Sequence, residues 1–259
     1  MVAPAATPSA AARTVLLGQH PYHREVSLPT GQTTQSERVD YLLYLPETYG
    51  ADPANRWPLI LYLHGSGECG ADLNLLLNQP LPKYLAVQAD FPFIVVSPQV
   101  ACPVWQKDSY SDYNALAWSW TDHWKALRVL LDELQITYAV DPKRMYLTGI
   151  SMGGFGVWQI ALECPDYFAA IVPIAGGYIY QSSQVPANIC DLKSLPVWAF
   201  HGEQDVSVSF AQSQALVDAL QECGGDVRFT LYPDLGHNVW DRAYADPELI
   251  QWLLAQQKP

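Results

Sequence analysis

The sequence predicts a doubly wound α/β domain: a mostly parallel sheet with helices on both faces, entered through an antiparallel hairpin. Three observations carry this expectation. Short, uninterrupted apolar runs recur along the chain, as they do in strands buried on both faces. Stretches with apolar residues at helical spacing stand between those runs. The connections are short, and strand–helix alternation with short connections builds a parallel sheet. The chain has 259 residues, 49% of them apolar, which is enough for one sizeable core. No internal repeat and no linker divides it, so a single domain is expected over residues 13–259.

Taken in order, the first dozen residues are rich in Ala and Pro and predict a disordered tail over residues 1–12. They lack the basic start and apolar core of a signal peptide, which leaves the compartment open: a soluble chain, cytoplasmic or exported from a precursor. Residues 22–45 alternate apolar and polar around Pro29-Thr30-Gly31-Gln32 and predict the hairpin. The central strands follow as Trp57–His64, Phe93–Ser97, Arg144–Thr148, Phe168–Ile174, Val197–His201 and Val227–Tyr232. Residues 122–136 set Trp124, Leu127, Leu130, Leu131 and Leu134 on one helical stripe. A helix is also expected over Phe155–Leu162. Another spans 208–222, with Phe210, Leu216, Val217 and Leu220 on its stripe and Gly224-Gly225 as its stop.

The net charge of −12 argues against nucleic acid or an anionic membrane as partner. No run of eighteen apolar residues exists, so no membrane insertion is expected. Oligomeric state is not encoded in any pattern. Five widely spread cysteines with no C-x-x-C pair do not make a disulfide framework or a zinc site. Buried thiols are the expected state for most of them, with one bridge left open.

The chemistry centres on Gly149-Ile150-Ser151-Met152-Gly153-Gly154, set between the strand ending at Thr148 and the helix from Phe155. Strand, G-x-S-x-G, helix is the context of a nucleophile elbow, in which a sharp turn exposes the serine hydroxyl at the sheet edge. The helix N-terminus beneath it favours developing negative charge. A serine hydroxyl needs a base, and the base an acid to orient it. Asp205 follows the strand Val197–His201, and His237 follows the strand Val227–Tyr232, so both fall on the same sheet edge as Ser151. Glu203 and Asp234 remain alternative acids. The oxyanion donors expected are the N–H of Met152 and, from the loop His64–Gly70, that of Ser66, with Gly67 as the alternative. Glu68 reads as a brace for that loop. Gly65–Gly70 also fits G-x-G-x-x-G, but Asp90 lies before its strand rather than at its end, so no dinucleotide cofactor is expected, and no metal.

With these stretches the chain resembles α/β-hydrolase serine esterases of the polyhydroxybutyrate-depolymerase-like and predicted-peptidase group, related to feruloyl and acetylxylan esterases. The resemblance rests on Trp57–Glu68, Phe91–Gln99, Asp141–Gly154, Leu195–Gly202 and Asp234–His237 with Trp240, within residues 38–256. It implies that Ser151, Asp205 and His237 match the family's nucleophile, acid and base, and that the substrate is a small or oligomeric ester. A short-peptide peptidase on the same triad, and a binding protein that kept the fold, are the rival readings. Val104–Trp120 is longer and more aromatic than the group suggests. It follows a strand's carboxyl end and either walls the substrate cleft or packs as a surface loop. Trp105, Trp118 and Trp240 are accordingly the candidate substrate contacts.

Overall fold

The computed structural model describes residues 15–30, 33–88, 90–101 and 113–259, without the side chains of residues 30 and 113–119. The expected tail over residues 1–12 therefore lies outside the described residues.

Eight strands form one sheet. They are β1 (Gly18–Thr30), β2 (Thr33–Leu45), β3 (Trp57–Leu63), β4 (Ile94–Gln99), β5 (Val140–Ile150), β6 (Ala170–Ile174), β7 (Val197–Gly202) and β8 (Val227–Tyr232). Their spatial order is β1-β2-β4-β3-β5-β6-β7-β8. The hairpin pairs Gly18 with Leu45 at one end and Thr30 with Thr33 at the other, and β2 runs antiparallel to β4. Every pairing from β4 to β8 is parallel. This is the α/β-hydrolase arrangement expected from the sequence.

The six helices among the described residues are α1 (Pro80–Leu85), α2 (Tyr113–Thr137), α3 (Met152–Glu163), α4 (Phe210–Glu222), α5 (Trp240–Tyr244) and α6 (Pro247–Ala255). Alternation along each strand divides the core into two layers. Leu59, Leu61 and Leu63 of β3 face α2, α3 and α4, where they join Leu127, Leu131, Trp158 and Leu216. Ile60 and Tyr62 face α1, α5 and α6, where they join Leu81, Leu85, Tyr244 and Trp252. No helix among the described residues is long and apolar enough to cross a membrane.

The structure extends several expectations and corrects one. Helix α2 starts at Tyr113 rather than near residue 122, and β5 runs from Val140. The short helices α1, α5 and α6 carry too few turns to show a period, and packing rather than propensity holds them. The cysteines are corrected: Cys190 and Cys223 form a disulfide across 33 residues, and Cys69 is also disulfide-bonded. Among the described residues the free thiol is Cys164. The bridge ties the 3₁₀ turn Ile189–Leu192 to the end of α4, a tertiary proximity that no local spacing encodes.

Candidate active site

The carboxyl ends of β3, β5, β7 and β8 carry the residues of interest. Between the last residue of β5 and the first of α3 there is only Ser151, so the chain must reverse on one residue. It does so at φ 52° and ψ −116°, a conformation that a non-glycine residue holds only when its surroundings enforce it. Two contacts enforce it. Ser151 N–H donates to Ile174 O of β6 at 2.9 Å. Gly153 packs so tightly against β3 that a Cβ there would lie 2.1 Å from Leu63 O.

His237 stands in the loop after β8 and bridges the other two groups. Its Nε2 is 2.9 Å from Ser151 Oγ, and its Nδ1 is 2.7 Å from Asp205 Oδ2. The acid and base loops are held together by backbone packing, since a Cβ on Gly202 would lie 2.1 Å from Gly236 O. Asp205 Oδ1 accepts the N–H groups of Ser207 and Val208, each at 2.9 Å. Burial pushes the Asp205 carboxyl up. Hydrogen bonds from His201, His237 and Val208 N–H outweigh that and hold it below the usual carboxylate range. An ionised Asp205 accepts from Nδ1–H, so Nε2 is the lone pair facing the Ser151 hydroxyl.

The loop after β3 closes over this group. A Cβ on Gly65 would lie 3.6 Å from Ser151 Cβ, so any side chain there would stand against the serine. Ser66–Glu68 form a 3₁₀ turn rather than the opening of a long helix. The Glu68 carboxyl folds back on the turn, where a Cβ on Gly65 would lie 3.1 Å from its Oε2. Burial, working against the pull of the nearby backbone, raises it from 4.5 to about 7. His64 pins the loop from below: Nδ1–H donates to Gly65 O at 2.6 Å and Nε2 accepts Val100 N–H at 3.1 Å. Burial lowers this imidazole to about 4, so it stays neutral.

Of the candidates from sequence, Ser151, Asp205 and His237 come together, with Met152 at the start of α3 and Ser66 in the adjoining turn. Trp240 meets the His237 ring edge-on, at 5.3 Å between centroids. Glu203 is exposed, and Asp234 pairs with Arg242 on the surface, so neither alternative acid reaches His237. Trp105 and the side chain of Trp118 lie outside the described residues. Sequence reasoning missed His201, buried beside Asp205; the one available signal was a histidine at the strand end four residues before the acid.

The chain is 26% identical over 205 residues to a probable carboxylesterase SOBER1-like protein of Arabidopsis thaliana, covering 70% of this chain and 72% of the relative. Over 66 residues it is 36% identical to poly(3-hydroxyalkanoate) depolymerase C of Paucimonas lemoignei, covering 25% of this chain and 16% of that one. Among solved structures it superposes on a thermostable esterase with a TM-score of 0.66 and 30% identity, over 91% of this chain and 63% of that one. It therefore spans most of the Arabidopsis relative, a small part of the depolymerase and under two thirds of the thermostable esterase. The profile of the phospholipase/carboxylesterase family matches residues 51–247, from before β3 to the start of α6, and the chain belongs to that family.

Proposed function

We propose that the protein is a serine carboxylesterase that works through an acyl-enzyme. The observation that carries this is the unbroken line from Ser151 Oγ through the His237 ring to Asp205 Oδ2, with contacts of 2.9 and 2.7 Å. His237 Nε2 takes the Ser151 proton as Oγ attacks the ester carbonyl. Asp205 holds the ring and stabilises the imidazolium. The tetrahedral oxyanion is received by the N–H groups of Met152 and Ser66, the first at the positive end of α3. His237 returns its proton to the departing alkoxide, and the alcohol leaves. Water, activated by the same imidazole, then attacks the acyl-serine; the carboxylic acid is released and Oγ regains its proton.

The substrate is read as a small or oligomeric carboxylic ester whose acyl or alcohol group passes Trp240. Turnover of p-nitrophenyl acetate with covalent labelling by a fluorophosphonate probe is expected, and Ser151→Ala should remove both while the fold survives. Turnover above background in Ser151→Ala would sink the reading.

A further inference from the structure

His201 is fully buried at the end of β7, and its surroundings decide where its protons are. Its Nε2 lies 2.9 Å from Val208 O and 3.2 Å from Asp205 Oδ2. Both neighbours only accept, so a bare Nε2 would set a lone pair against two oxygens in a fully buried site; Nε2 carries a proton. On the other side of the ring, Nδ1 is 2.8 Å from Ser213 Oγ, which is itself 2.8 Å from Gly176 O. With His201 neutral, the Ser213 hydroxyl donates to Nδ1. With His201 charged, Nδ1–H donates to Ser213 Oγ and the hydroxyl turns to Gly176 O. Either way the Nε2–H remains directed at Asp205.

The carboxylate is thus surrounded. Oδ1 takes two main-chain N–H groups and Oδ2 takes two imidazoles, which fills the acceptor positions a carboxylate offers. The titratable groups around His201 are Asp205 on its own loop and, across that carboxylate, His237. Helix α4 presents the neutral Ser213.

We infer that His201 is a positioning residue for the reaction proposed above, fixing the Asp205 carboxylate and sharing its charge, so that Asp205 presents a set and tempered acceptor to His237. The inference rests on the triad reading of that site. Its consequence has a sign. Without the His201 donor, the negative charge of Asp205 falls more fully on His237 and stabilises its protonated form. The base then stays protonated to higher pH, and the acidic limb of kcat/KM moves up. Loss of packing alone would lower activity without moving the limb.

The test compares wild type, Ser151→Ala, His201→Leu and His201→Gln with p-nitrophenyl acetate between about pH 5 and 9, which brackets the range of about 5 to 8 in which an imidazole changes charge. His201→Leu should lower kcat about 10- to 100-fold with KM within about twofold, as losses of supporting hydrogen bonds do. Its acidic limb should rise by about half to one pH unit. His201→Gln keeps an amide N–H for Asp205 and should hold the limb within about 0.3 unit of wild type. An unmoved limb in His201→Leu, or an equal move in both variants, overturns the inference. Should His201→Leu fail to fold, the wild-type protein decides by nitrogen-15 NMR of its histidines. A slowly exchanging Nε2–H on His201 is expected, and a neutral Nδ1–H tautomer overturns the inference. Absence of Ser151-dependent turnover in wild type would instead sink the esterase reading itself, so the two failures are distinguishable.

Discussion

Glu68 shows how a single side chain couples the loop beside the serine to pH. Its carboxyl is raised from 4.5 to about 7, so the fold prefers the protonated form. A raised folded-state value contributes stability that is complete below the unfolded value and is lost as pH climbs through the folded one. Wild type should therefore lose stability between about pH 4.5 and 7 in a way that Glu68→Gln, with no proton to lose, does not. Thermal melts across that range should show the variant gaining on wild type and then levelling off; a constant offset would contradict the assignment. Residues also mark what was legible in sequence. Ser151 and His237 stood out because each follows a strand and only one order fits. Asp205 stood beside Glu203 and Asp234, and tertiary contacts separate them: its side chain is 0% exposed and meets His237, against 64% exposed for Asp234, which pairs with Arg242. His201 was not legible, because its partner Ser213 sits on a different element and the local pattern reads as strand end.

At the scale of elements, the junction of β5 and α3 is the part on which the serine depends. The helix can start immediately after Ser151 only because Gly153 admits Leu63 O of β3 where a side chain would stand. Gly153→Ala should force β3 and α3 apart, with a cost of about 1–3 kcal/mol or more in urea denaturation. Ester turnover should fall further than stability does, since the dihedral at Ser151 is set there. An alanine variant with wild-type activity would show that the junction has slack. Strands and long helices were legible because their periods are strong, and β8 coincides with its predicted range, Val227–Tyr232. Helices α1, α5 and α6 were not, because nine residues or fewer leave the choice to tertiary packing.

For the whole molecule, the Cys190–Cys223 bridge closes a loop of 33 residues that contains β7 and α4. Restricting the unfolded chain over such a loop contributes about 3–4 kcal/mol in the chain-entropy account. Replacing both cysteines by serine should lower the urea midpoint accordingly, and Asp205, which lies inside the loop, should lose its position before Ser151 does. An unchanged midpoint would mean that the sheet alone holds this region. Pairing of this kind is set by how α4 returns to the sheet, which is why the sequence pattern favoured free thiols.

The three groups at the sheet edge are far apart in the chain: 86 residues separate Ser151 from His237, and 32 separate Asp205 from His237. What brings them together is the row of parallel pairings β5 to β6, β6 to β7 and β7 to β8. On the proposed mechanism, a refolding chain that has completed β5 and α3 but not yet paired β8 holds the hydroxyl without its base and should turn over no ester. Non-local pairings of this sort are the slow ones. Recovery of ester turnover during refolding is therefore a clock for the final strand, reporting finished molecules while helical signal reports only those under way.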